Sequence, residues 1–157
     1  LEILHAQCGG IAITITNIAG AEDSWSAGAW LGMAGTAGET EAGILVGSGT
    51  TAESNTDFAL ATQIAHGTSA GQLQYGSTGF TAPTEAAGNV DWVITRAFTN
   101  GSGATVTVRE IGCAGGEATN TPTTTTGRLL VRDVLPSAVP VANGQVLTVQ
   151  YTWRTTV

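Results

Sequence analysis

Apolar and polar side chains alternate through residues 90–111 (VDWVITRAFTNGSGATVTVREI), and this stretch constrains the fold more than any other. Val90, Trp92, Ile94 and Phe98 fall on one side of a two-residue period, with Asp91, Val93, Thr95 and Ala97 on the other. Successive side chains of a strand point to opposite faces, so this arm reads as a half-buried strand. Asn100-Gly101-Ser102-Gly103 follows, built of residues that tolerate the positive φ of a hairpin turn. Thr105, Val106, Thr107 and Val108 then supply the β-branched side chains that suit a pleated surface. The expectation is a β-hairpin across 90–111, with Arg96 facing Glu110 if the register permits. A lone hairpin is marginal in water, so more strands must join it.

Those strands are legible elsewhere. Residues 11–17 (IAITITN) set Ile11, Ile13 and Ile15 against Ala12, Thr14 and Thr16. Residues 43–46, 72–75 and 128–135 read as strands, and 57–64 as a strand or one turn of helix. In 145–153, Leu147, Val149, Tyr151 and Trp153 share one side. Asn143-Gly144 reads as a turn, and 136–140 (PSAVP) as an extended connection, because proline drives its predecessor out of the helical region. Residues 80–89, with Pro83 and Gly88, read as a loop. Residues 112–127, rich in Thr, Gly, Asn and Pro, read as a surface loop. Residues 19–42 form a Gly/Ala-rich long loop or arm, with short strands near 25–33; Gly28, Gly32, Gly35 and Gly38 would each weaken a helix there. The sum is an all-β chain: an antiparallel β-sandwich, jelly-roll or immunoglobulin-like, of about seven or eight strands. Its 157 residues make a single domain. The final strands, with the cleanest alternation, are expected at the centre of their sheet.

Charge narrows the partners. Charged residues make up 11% of the chain and the net charge is −7. All basic residues are arginines: Arg96, Arg109, Arg128, Arg132 and Arg154. Such a chain offers no electrostatic footprint for nucleic acid and is repelled by anionic membranes. No apolar run approaches the ~20 residues of a membrane-spanning helix. A charge-poor surface fits a protein covered by neighbours, because interface cores are depleted in charge. Trp25, Trp30, Arg96, Arg109 and Arg132 are the candidate interface residues. Trp25 and Trp30 read either as covers for the edge of the core or as ligand-stacking rings.

Candidate chemistry is thin. His5 and His66 are the two histidines. Asp57 and His66 with a serine would make a hydrolase triad, but no GxSxG elbow focuses the choice. Glu39 and Glu41 share a face if their segment is a strand, and paired carboxylates can hydrolyse glycosides. Glu22 and Asp23 could join them around calcium, without EF-hand spacing. Gly47-Ser48-Gly49 lacks the ending of a phosphate loop and reads as a tight turn. Cys8 and Cys113 match no zinc motif and read as two free thiols, with a single bridge as the alternative. The expectation is a non-enzymatic chain without cofactor or metal.

Two parts of the sequence carry a resemblance. One is GILVGSGTTAESNTDFALATQIAHGTSAGQLQYG, residues 43–76. The other couples RAFTNGSGATVTVREIG, residues 96–112, with LLVRDVLPSAVPVANGQVLTVQYTWRTTV, residues 129–157. Together they resemble structural proteins of tailed bacteriophages, with β-scaffold features in the FTN-G-G, RDVL and V-NGQ-LTV-YT runs. The resemblance covers about half the chain. It implies a virion subunit present in several copies, a homo-oligomer assembled in the host cytoplasm among other virion proteins. A capsid decoration, cement or minor head protein is the first expectation. A tail, collar or connector component is the alternative, as is a sandwich module binding a host-surface glycan or protein.

Overall fold

The computed structural model describes residues 13–25, 31–117 and 127–156. Among them lie β1 (Ile13–Thr16), β2 (Glu22–Trp25), β3 (Leu31–Gly32), β4 (Gly43–Gly47), β5 (Gln74–Tyr75) and β6 (Gly79–Ala86). β7 (Asn89–Thr99), β8 (Val106–Glu117), β9 (Arg128–Val141) and β10 (Val146–Thr156) complete the set. No helix occurs in the described residues. The fold is all-β and antiparallel, as the alternation predicts. β7 is the spine of one four-stranded sheet, with β10 on one side and β5 and β6 on the other. β8 is the spine of a second four-stranded sheet, with β9 on one side and β3 and β4 on the other. β1 and β2 form a separate two-stranded ribbon. Ile44 and Val46 of β4, Tyr75 of β5, Ile94 and Phe98 of β7, Val106 and Val108 of β8 and Val149 of β10 belong to one buried cluster that both sheets share. This is a β-sandwich.

The expected 90–111 hairpin does not form. Both arms are strands, but they lie in different sheets: Thr99 pairs with Val146, and Val106 pairs with Val141. The reason sits at Asn100, which is fully buried. Its Nδ2 donates to Ala104 O at 2.8 Å and to Val141 O at 2.6 Å. Its backbone N–H donates to Gln145 O, and its carbonyl accepts from Gly144 N–H at 2.7 Å. These bonds turn the chain away from itself and into the other sheet. The Asn143-Gly144 turn forms as expected, with Gly144 at φ +81°, and it too carries the chain between sheets. Both crossovers therefore meet at one residue, Asn100.

The tight hairpin is one element earlier. Ala87 and Gly88 take φ of 52° and 76°, the consecutive left-handed residues of a type I′ turn, and join β6 to β7. Residues 80–89, expected as a loop, are mostly β6. Pro83 falls where the ladder skips between Thr81 and Thr84, so its missing N–H interrupts no pairing. β8 likewise continues to Glu117, so the first part of the expected 112–127 loop is strand, while 118–126 lie outside the described residues. Residues 57–64 are neither strand nor helix; they turn across the sheet and touch it at the Gly47–Gln63 bridge. In the 19–42 segment, β3 falls in the stretch 25–33 where short strands are expected, whereas β2 lies before it and shares only Trp25. β9 and β10 are edge strands among the described residues, not central ones. Burial from both sheets, rather than alternation in one strand, decides which strand is the spine.

Candidate functional site

Three charged residues occupy positions that the two-residue period assigns to covered faces, and each organises a loop. On β7, Arg96 shares the parity of Trp92, Ile94 and Phe98 and is 1% exposed. All its donors go to backbone carbonyls. Nε reaches Gly76 O, Nη1 reaches Ala42 O and Ile44 O, and Nη2 reaches Thr36 O and Glu39 O, at 2.7–3.0 Å. The guanidinium also lies 4.9 Å from the centre of the Tyr75 ring, within cation–π range. Burial pulls the Arg96 pKa down from its ordinary value, and the negative side of the carbonyl cage offsets the cost of keeping the charge. The predicted Arg96–Glu110 pair is therefore replaced by a cage around residues 36–44.

Glu110 and Arg132 hold the other large loop. Glu110 is fully buried. Its Oε1 accepts from Gly49 N–H at 2.9 Å and Thr62 N–H at 2.7 Å, and its Oε2 from Ala61 N–H at 3.0 Å and Arg132 Nε at 2.8 Å. Burial alone would raise its pKa; the Thr62, Arg132, Ala61 and Gly49 donors together outweigh that and hold it below the ordinary value. Arg132 then reaches Asp57 Oδ2 at 2.7 Å and Thr51 O at 2.8 Å. Ser54 N–H, then Arg132, hold the Asp57 carboxyl low. Gly47 leaves the space this arrangement needs: a Cβ there would sit 2.5 Å from Glu110 Oε1 and 2.6 Å from Thr62 O. Within 47–49, Gly49 N–H donates to the Glu110 carboxylate, while Ser48 N–H donates to Thr62 O at 2.8 Å.

Two open clefts border these loops. One, of about 410 Å³, is lined by Glu53, Ser54, Asn55, Asp57 and Arg132 against Leu129, Leu130 and Val131. The other, of about 520 Å³, is lined by Ile18, Gly38, Thr40, Glu41, Gln63 and His66, among others. Asp57 and His66, paired in the hydrolase expectation, line different clefts. Asp57 is engaged by Arg132 and Ser54, while His66 Nδ1 accepts from Tyr75 N–H at 3.0 Å. Glu39 and Glu41 lie in a loop rather than a strand, with Glu39 Oε1 accepting from the Thr40 and Glu41 N–H groups. No three His, Cys, Asp or Glu side chains converge on a metal position among the described residues. Cys113 is a buried free thiol, 3.7 Å from Met33 Sδ; Cys8 and His5 lie outside the described residues.

The interface candidates separate. Arg96 and Arg132 are interior residues whose donors are engaged within the chain. Arg109 is exposed on β8, opposite in facing to Glu110. Trp25 ends β2, and Trp30 lies outside the described residues. Sequence reading missed a different aromatic group. Trp92 and Trp153 are register partners on β7 and β10, with ring centres 6.5 Å apart. Phe80 of β6 stacks on Trp92 at 6.0 Å. Phe80 and Trp153 are 46% and 38% exposed, so the apolar face of this sheet runs out past its buried part into solvent. All of β6 is exposed. The alternation of Trp92 and Trp153 on their strands was the available signal; the pairing that aligns them was not.

No family model, no curated protein and no solved structure matches this chain. No helix among the described residues is long and apolar enough to cross a membrane.

Proposed function

We propose that the chain is a structural subunit of a tailed-phage virion, acting through protein–protein contacts. Within the particle we place it on the capsid side, as a decoration, cement or minor head protein. The observation that carries this reading is the three-stranded end of the β7 sheet, where Phe80, Trp92 and Trp153 continue a core-like face without a covering layer among the described residues. An apolar sheet face needs a second layer, and a subunit set among neighbours receives one from them. The scarcity of charge and the resemblance of residues 43–76, 96–112 and 129–157 to phage structural proteins support the same reading. The buried arginines and Glu110 serve it by fixing long loops on a rigid scaffold. Mass spectrometry and cryo-electron microscopy of purified particles test it: several ordered copies per particle are expected on the head, and particles without the chain refute it.

The same aromatic strip favours one other reading, a sandwich module that binds a surface glycan by ring stacking. Glycan-array binding that disappears in Trp153→Ala would select it.

A further inference from the structure

The long edge strands are built differently. β6 contains Pro83 and a register shift between Thr81 and Thr84. β9 contains Pro136 and Pro140 and shifts register twice against β8. Prolines and bulges are devices that keep an exposed edge from pairing with another chain. β10 has neither. It keeps one unbroken register with β7 from Val146 to Thr156 and contains no proline. Its other side has no strand partner among the described residues. At about 3.4 Å per residue, this edge is roughly 37 Å long.

Its charge is equally distinctive. In a chain of net charge −7, β10 holds no acid. Its single charge, Arg154, is neutralised by Asp91 of β7 through two bonds of 2.7 Å. Thr148, Gln150, Thr152 and Thr156 are exposed and uncharged.

We propose that β10 pairs antiparallel with β10 of a second copy across a two-fold axis, joining two four-stranded sheets into one. This deepens the proposed subunit role and rests on it for its setting. A neutral edge gives a strongly charged partner no electrostatic address, whereas a second copy meets it without opposing like charges. Thr and Gln side chains would face Thr and Gln across the join, a favourable cross-strand pairing. Both aromatic strips would lie on one face, beside the join. Such an interface is self-complementary and closes on itself.

Sedimentation velocity on the full chain, over roughly 1–100 µM, tests the pairing. A concentration-dependent dimer is expected. The double variant Gln150→Lys with Thr152→Lys changes exposed side chains and should keep the circular dichroism spectrum. It should weaken the dimer about tenfold or more, by setting like charges across the join. Gln150→Glu with Thr152→Glu should do the same, and an equimolar mixture of the two variants should restore a dimer. A wild-type monomer throughout, a dimer indifferent to the lysines, or a mixture that fails to associate overturns the pairing. So does β10 becoming protected from hydrogen exchange only when a capsid protein is added. Particles lacking the chain would sink the virion role alone and leave a measured β10 pairing standing.

Discussion

Arg132 Nε meets Glu110 Oε2 at 2.8 Å, on adjacent strands, with side chains 3% and 0% exposed. The pair is completed by backbone: Glu110 takes three N–H groups from residues 49–62, and Arg132 takes Thr51 O. A buried ion pair adds little over an apolar replacement, but removing one partner strands the other charge. Glu110→Ala leaves Arg132 Nε and three backbone N–H donors unsatisfied in the interior, with Asp57 as the remaining acid on the guanidinium. We expect a loss of about 3–5 kcal/mol in urea unfolding. A change near zero would mean that the loop is held by something other than this carboxylate.

Acid should loosen the same loop. The folded Glu110 pKa lies below its unfolded value near 4.5. The folded state thus binds its proton more weakly, and stability rises with pH through that range. Glu110's contribution is complete above the unfolded value and disappears as pH falls through the folded one. Glu53 and Asp57 are depressed in the same sense, while Glu41, raised by burial and then by Glu39, opposes them. Thermal unfolding between pH 7 and pH 3 should show the melting temperature falling mainly below about pH 4.5. Glu110→Gln should start lower and fall less steeply.

Arg96 is not replaceable by lysine. An ammonium has three donors on a flexible stem, and the cage presents five carbonyls to a planar fork. Arg96→Lys should cost about 3 kcal/mol, from lost charge-assisted bonds and carbonyls left dry. Amide exchange of Gly35, Gly38 and Glu39 should rise at the same time. Unfolding energetics equal to wild type would show that the cage closes without its guanidinium.

Cys113 should behave as an inert thiol. It is fully buried, and burial pushes its pKa up to about 12. Thiolate is the reactive form, so alkylation at pH 8 should be negligible in the folded protein and rapid in urea. Peptide mapping of the label distinguishes it from Cys8. Fast native labelling at Cys113 would contradict the close packing around it.

Much of this architecture was readable in advance. Alternation located β7, the first half of β8, the start of β9 and β10, because each sets its apolar residues against one shared core. It could not say which strand pairs with which. The 90–111 segment has every local sign of a hairpin, and the inward Asn100 side chain overrides them. β6 was obscured by Pro83, which reads as a strand breaker until the ladder is seen to skip at that point. The loop clamps were written in the parity of Arg96, on the same side as Ile94 and Phe98, and a charge at a core position was the available clue. The aromatic strip was not legible, because Phe80, Trp92 and Trp153 are distant in sequence and meet only through strand pairing.

Asn100 also sets an order of events during synthesis. Ser102 and Ala104 are its local partners, whereas Val141, Gly144 and Gln145 follow it by about forty residues. Until then the β7 sheet lacks β10 and the β8 sheet lacks β9. Closing the sandwich therefore depends on contacts of long sequence separation, from β7 to β10 and from β8 to β9, which are slow to form.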